Sequence, residues 1–170
     1  MPQAGIQDSD LLELYCGVGN FTIPLARQFR RVIATEVSKV ATRAAVDNLA
    51  LNNVSNVEFA RLSAEEMTVA MAGTRKFRRL AELKRPLEDY ELRTVFVDPP
   101  RAGLDLDTLA LVKDFDEILY ISCNPLTLID NLKTLTETHM IASLAFFDQF
   151  PYTPHLECGV HLKQRSEATA

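Results

Sequence analysis

Apolar residues recur along the chain at two different spacings. Short β-branched or aliphatic runs, "DLLELYC", "RVIATEV", "VEFARL", "TVFVD" and "EILYIS", read as strands. Between them lie segments with apolar positions three and four apart: "FTIPLARQF", "SKVATRAAVDNLALNN", "SAEEMTVAMAGTRKFRRLAELK", "LDTLALVKDF" and "PLTLIDNLKTLTETH". That is helical spacing. Strands alternating with helices predict βαβ units and a mostly parallel sheet. Two final runs, "MIASLAFFDQF" and "HLECGVHLKQ", are separated only by "PYTP". Strands joined so closely are expected to pair antiparallel, closing the sheet as a hairpin. There is no internal repeat and no low-complexity stretch.

The helix starts are marked in the sequence. Ser38 is placed to cap the second helix, and Ser63 with Glu66 forms an S-x-x-E capping box for the third. Asn124 is a good N-cap, and Pro125 follows at the first helical position, where the missing N–H is not needed. The tail "RSEATA" is expected to fray.

Composition narrows the class. The chain has 170 residues, 47% hydrophobic and 24% charged, enough for one domain with a real core. No apolar run approaches the length of a membrane span, and no secretory leader opens the chain. Cys16, Cys123 and Cys158 are odd in number and lack metal-type spacing, so no disulfide framework, zinc site or other metal site is suggested. A reducing, cytoplasmic setting is the simplest reading. The net charge of −5 weighs against nucleic acid as a partner, but its distribution is uneven. "TRKFRRLAELKR", Thr74 to Arg85, has six basic residues and one acid, Glu82. Taken alone, that segment reads as a solvated helix face.

Candidate chemistry clusters at strand ends. "LELYCGVGNFT" places Gly17 and Gly19 just past the first strand, and Glu36 follows nineteen residues after Gly17, ending the second. An acid there can accept hydrogen bonds from both ribose hydroxyls of an adenosine. The third glycine of the dinucleotide fingerprint is missing, because Thr22 occupies its place. This favours an adenosine ligand without a pyrophosphate, of which S-adenosylmethionine is the common case. Asp98 in "VFVDPPRAGLD" ends the fourth strand, at the edge where open α/β sheets bind ligands.

Cys123 ends the fifth strand and immediately precedes a helix. Backbone N–H groups and the positive end of the helix dipole favour a thiolate there, and such a thiolate is a competent nucleophile. His139, His155 and His161 are all distant in sequence, so a protease-like dyad is the weaker reading. Cys16 reads as an inert buried hydrophobe. In "PHLECGV", alternation puts Leu156 and Cys158 on one face and Glu157 on the other, as either an edge-solvated acid or a placed base.

"LYCGVGNFT", "VFVDPPRAGLD", "YISCNP" and "FDQFPYTPHLECGV", in that order, resemble the catalytic domain of the tRNA (uracil-5-)-methyltransferases. The resemblance runs from Asp10 to about Lys163; "SCNP" and "FPYT-HLECG" are its most specific parts. It implies a Rossmann-like class I S-adenosylmethionine-dependent methyltransferase fold: α/β, with a mostly parallel seven-stranded sheet and a C-terminal antiparallel hairpin. It implies S-adenosylmethionine as cofactor and the T-loop uridine of tRNA as partner. By the same resemblance, Cys123 is the nucleophile and Glu157 the general base. Gly17, Gly19, Asn20, Glu36 and Asp98 become cofactor contacts, and Arg101 a substrate contact; separately, the uracil carbonyls need hydrogen-bond donors as charge develops, for which Asn124 and Ser122 are candidates. The implied layout is a disordered or vector-derived lead-in over residues 1–9, a catalytic domain over 10–165 and a frayed tail over 166–170. The family's N-terminal RNA-binding half, with its cofactor-contacting glutamine in "F-Q-x-N", is expected to lie outside this chain.

The chemistry explains the residue types. Carbon 5 of uracil is a poor nucleophile until a thiolate adds to carbon 6, and the proton left on carbon 5 after methylation needs a base. The target base must leave its stack to be reached, and affinity must come largely from phosphate contacts, some of which Arg75 to Arg85 could supply. Alternatives are a ribosomal-RNA uracil-5-methyltransferase and a catalytically idle nucleoside- or RNA-binding module. The sequence leaves the oligomeric state open.

Overall fold

A computed structural model describes residues 7–149, 151–153 and 155–165. The chain divides into two compact units, Met1–Val95 and Phe96–Ala170. Strands β1 (Gln7–Leu14), β2 (Phe29–Thr35), β3 (Val57–Ala60), β4 (Leu92–Val97), β5 (Glu117–Ser122), β6 (His139–Phe147) and β7 (Glu157–Gln164) alternate with five α-helices. The helices are α1 (Thr22–Ala26), α2 (Lys39–Leu51), α3 (Ala64–Met71), α4 (Leu106–Val112) and α5 (Pro125–Leu135). The seven-stranded sheet has the order β3-β2-β1-β4-β5-β7-β6.

In the first unit β1, β2 and β3 pair in parallel, Leu12 opposite Ile33 and Ile33 opposite Glu58. The apolar runs of β1 and β2 are buried on both faces, with Leu11, Leu12, Leu14, Val32, Ile33 and Ala34 sealed from solvent, while β3 at the edge is mostly half-buried. Asp10 is the one charge at the start of β1 that needs partners. It receives Arg30 Nε and Arg31 Nε, each at 3.0 Å, and the Glu91 amide at 2.9 Å. Burial pushes its carboxyl upward, but these bonds outweigh burial and hold it below the ordinary range.

In the second unit β7 runs antiparallel to β5 on one side and to β6 on the other. The expected antiparallel closure is therefore present, with one refinement: β7 inserts between β5 and β6, leaving β6 as the edge. His139, at the start of β6, is a satisfied core histidine, its ring nitrogens 2.8 Å from Thr138 Oγ1 and from the Phe115 carbonyl. Beyond it β6 is solvent-facing.

The predicted caps are in place. Ser38 accepts from the Ala41 amide, Ser63 and Glu66 exchange both bonds of a capping box, and Asn124 accepts from Leu126 ahead of Pro125. Three expectations are corrected. The long helix expected from Ser63 to Lys84 stops at Met71, because Gly73 takes φ +67 and ends it. The basic segment beyond Gly73 is therefore a loop carrying a 3₁₀ turn, Arg78–Glu82, and not a helix face. Lastly, β1 begins at Gln7, earlier than the lead-in over 1–9 allowed, while the tail 166–170 lies outside the described residues.

Candidate active site

In the first unit the chain leaves β1 through a strained turn. Tyr15 takes φ 60 without being glycine, and Gly17 and Gly19 follow at φ 55 and 86. Among the described bonds, three tie this loop to its neighbours. The Cys16 amide donates to the Thr35 carbonyl at 3.0 Å, Asn48 Nδ2 donates to the Val18 carbonyl at 2.9 Å, and the Gly17 amide donates to Glu36 Oε2 at 3.1 Å. The other Glu36 oxygen accepts from the Ser38 amide at 2.8 Å. One half-buried carboxylate thus ties the glycine loop to the turn after β2. Each oxygen accepts one bond here and keeps lone-pair capacity for another donor.

Gly17 and Gly19 share one reason to be glycine, their positive φ. A Cβ at Gly19 would make only ordinary contact with Ala45 of α2, at 3.4 Å, and one at Gly17 would project into open space. That space beside Glu36 fits a nucleoside approaching the backbone closely. Asn20 is exposed at the end of the loop. Cys16 is buried, and its thiol is pushed well up by burial and by the nearby charges of Glu13 and Glu36. It is inert, as expected.

In the second unit Asp98 follows β4, half-buried. Burial and the charge of Glu157 raise its carboxyl to about 6. The loop after it is pinned from α5. Asn124 Nδ2 and Thr127 Oγ1 donate to the Arg101 carbonyl at 3.0 and 3.1 Å. Asn131 Nδ2 donates to the Leu104 carbonyl, and Asn131 Oδ1 accepts from the Leu104 amide at 2.8 Å and from the Tyr120 hydroxyl at 2.7 Å. The Arg101 side chain is exposed, and among the described residues it has no acidic partner.

The β5–β7 ladder sets the rest of the site. It pairs Tyr120 with Val160, Ile121 with Gly159 and Ser122 with Cys158. The paired stretch ends there: β5 stops at Ser122 and Cys123 lies in the bend just past it, next to the end of β7 that carries Glu157. Directly opposed residues share a face, with Cα atoms about 4.5–5.5 Å apart. Ser122 and Cys158 point inward and are buried; Cys123 and Glu157 belong to the other, half-exposed set. The Cys158 thiol is pushed up by burial and then by Glu157. On its other side Glu157 pairs with Phe147 of β6.

Asp98, Cys123 and Glu157 thus come from three strand ends of the second unit, with Asp98 and Glu157 close enough to repel. Two substrate-contact expectations change on the geometry. The Ser122 hydroxyl is buried and spent on its own turn, bonded to the Asn124 amide and carbonyl at 3.1 Å each, so it is no free donor. Asn124 is largely committed to capping α5 and tethering the Arg101 loop, with one amide hydrogen left over. Sequence reasoning missed Asn131, Thr127, Asn48 and Tyr15. The polar Asn131 within the apolar stripe of "PLTLIDNLKTL" was the available clue.

A sheet of this order, with a glycine loop after β1, an acid after β2 and another after β4, defines the class I methyltransferase fold. The N-methyltransferase NodS from Bradyrhizobium japonicum, solved with S-adenosyl-L-homocysteine, shares that fold at TM-score 0.68 and 15% identity over 93% of this chain and 79% of its own. Residues 3–165 match the family described as tRNA (Uracil-5-)-methyltransferase, and the chain belongs to it. The tRNA/tmRNA (uracil-C(5))-methyltransferase of a Nitratiruptor species is 60% identical over 90% of this chain and 42% of its own length. That of Neisseria meningitidis serogroup B is 58% identical over 92% and 43%. The Pyrococcus abyssi tRNA (uracil-54, C5)-methyltransferase, solved with S-adenosyl-L-homocysteine, matches at TM-score 0.70 and 30% identity, over 92% of this chain and 35% of its own. The chain thus spans about two-fifths of the length of the curated relatives it matches.

Proposed function

We propose that the chain is the catalytic domain of an S-adenosylmethionine-dependent enzyme that methylates carbon 5 of a uridine in RNA, the T-loop uridine of tRNA. The observation that carries this reading is the β5–β7 pairing of Ser122 with Cys158, whose chain neighbours are the half-exposed Cys123 and Glu157. The names of the curated relatives supply the substrate class. The cytoplasm is the compartment this reading implies.

Each residue then has a task. Glu36 accepts from ribose hydroxyls while the open side of Gly17 admits the nucleoside, and Gly19, Asn20 and Asp98 complete the cofactor contacts. S-adenosylmethionine supplies an electrophilic methyl group when bound. The Cys123 thiolate adds to carbon 6 of uracil, forming a C–S bond and moving the ring's electron pair into an enolate. Carbon 5 of that enolate is the position that would accept the methyl group. Glu157 then removes the proton from carbon 5, the C–S bond breaks, and the thiolate and the aromatic ring are restored. Nucleophile and base act in sequence on adjacent ring carbons. Arg101 contacts the extruded nucleotide, and Asn124 holds the Arg101 loop in place.

Substituting Cys123 by Ala in the full-length protein tests the reading. Methyl transfer from tritiated cofactor to unmodified tRNA is lost, along with any RNA adduct that survives denaturing electrophoresis. Persistence of either activity removes Cys123 from the mechanism. An unsubstituted protein that binds S-adenosylhomocysteine yet transfers nothing would leave only an idle nucleoside-binding module.

A further inference from the structure

The loop between α3 and β4 contradicts the charge of the protein around it. Six basic residues and one acid give Arg75–Arg85 a charge of +5, which leaves −10 on the remainder of a −5 chain. A helix could have spread these charges around its circumference. The structure instead folds them into a loop around a cavity of about 970 Å³ within the first unit. That volume lies at the upper end of the roughly 300–1,000 Å³ seen for ligand pockets.

The charges are unpaired and outward. Arg75, Lys76, Arg78 and Lys84 are exposed, and among the described residues none of their side chains forms an ion pair, although the Lys84 amide donates to Glu58 Oε2 at 2.6 Å and Glu88 also lines the cavity. Two other basic residues act as anchors. Arg79 donates to the Arg61 carbonyl at 2.7 Å and lies 3.7 Å from Glu66, and the Arg85 guanidinium sits 5.6 Å from the centre of the buried Tyr90 ring. Below the rim the cavity wall is mostly apolar and includes Leu80 and Phe77, with the Arg75 guanidinium 4.9 Å above the Phe77 ring. A row of free cations over an apolar floor with a ring and a stacked guanidinium is the surface that unpaired RNA needs. Phosphates meet the cations, and a base meets the π-face.

We propose that this loop is a second RNA-docking surface, separate from the methyl-transfer residues. Backbone phosphates of the substrate RNA sit on Arg75, Lys76, Arg78 and Lys84, and one unpaired base enters the cavity against Phe77. The inference rests on the proposed RNA substrate. Charge complementarity selects the polyanion, and the apolar floor selects an unpaired strand over a duplex.

The test uses full-length protein and a T-arm RNA hairpin, with binding measured across a salt series. Arg75→Gln, Lys76→Gln, Arg78→Gln and Lys84→Gln together break no observed ion pair. They weaken binding on the order of tenfold at low salt and reduce the slope of log affinity against log salt by about 3. kcat at saturating RNA is unchanged and KM rises. Phe77→Leu weakens binding roughly five- to hundredfold without changing the slope. Lys113→Gln with Lys133→Gln, in the second unit, controls for net charge. An unchanged slope in the quadruple variant, or an equal drop per charge in the control, overturns the docking surface. Unaltered affinity in Phe77→Leu overturns the base-binding cavity. Failure of the unsubstituted protein to methylate any uridine would instead overturn the function proposed above, and the salt slopes would still decide this surface.

Discussion

Replacing Gly103 by alanine probes how rigidly the loop after β4 is held. Gly103 takes φ +80, a conformation that costs alanine about 1–2 kcal/mol. The added Cβ would also lie 2.7 Å from Asn131 Oδ1 and 3.3 Å from Thr127 Cβ. Asn131 cannot retreat freely, because that oxygen already accepts from the Leu104 amide and the buried Tyr120 hydroxyl at 2.8 and 2.7 Å. Breaking either bond strands a buried donor at about 1–3 kcal/mol. The expected total is about 2–5 kcal/mol, read as a shift in the midpoint of urea unfolding at constant slope. The mechanism makes a stricter claim in the Asn131→Ala background, where the 2.7 Å clash is absent and only the milder Thr127 contact remains. There Gly103→Ala costs only the backbone penalty, about 1–2 kcal/mol. The two substitutions must therefore couple by about 1–3 kcal/mol. Additive costs, or a single-variant cost below about 1 kcal/mol, would refute the account of Asn131 as the pin.

Asp98 titrates near 6 because burial and Glu157 disfavour its charge, so Glu157→Gln lowers its midpoint when followed by carbonyl NMR. A raised carboxyl favours folding fully below its ordinary value of 3.8 and loses that contribution as pH rises through about 6; stability measured from pH 4 to 7 therefore falls less in Glu157→Gln. Asp10 has the opposite sign. Its lowered carboxyl contributes above the unfolded value of about 3.9 and is lost as pH falls through the folded one, so Asp10→Asn costs about 1–3 kcal/mol at pH 7. That gap narrows toward pH 2–3 in urea titrations. Ser63→Ala removes half of a capping box and costs about 0.5–2 kcal/mol, measured by the same unfolding assay.

The strands and their caps were legible because each is decided locally. "EILYIS" has the composition of a buried strand, and Asn124-Pro125 announces the helix that follows. Family likeness pointed to Cys123 and Glu157, which lie 34 positions apart and share no local signal. Only strand pairing, which sets Ser122 against Cys158, brings their chain neighbourhoods together, and pairing partners are not written in periodicity. The position of β7 between β5 and β6 was hidden for the same reason. The basic loop was misread as helix because its apolar spacing is helical on either side of Gly73, and one glycine outweighed the pattern. Asn131 was passed over because a polar residue on an apolar stripe gains meaning only once Tyr120 and Leu104 are seen beside it.

Glu157 owes its position to two neighbours on the ladder, since β7 is zipped to β5 along one flank and to β6 along the other. Sliding β7 by a single step would break both zippers at once and turn the carboxylate to the wrong face. A substitution that loosens one flank therefore leaves the other to hold the register, and only a change that frees both would let the strand slip.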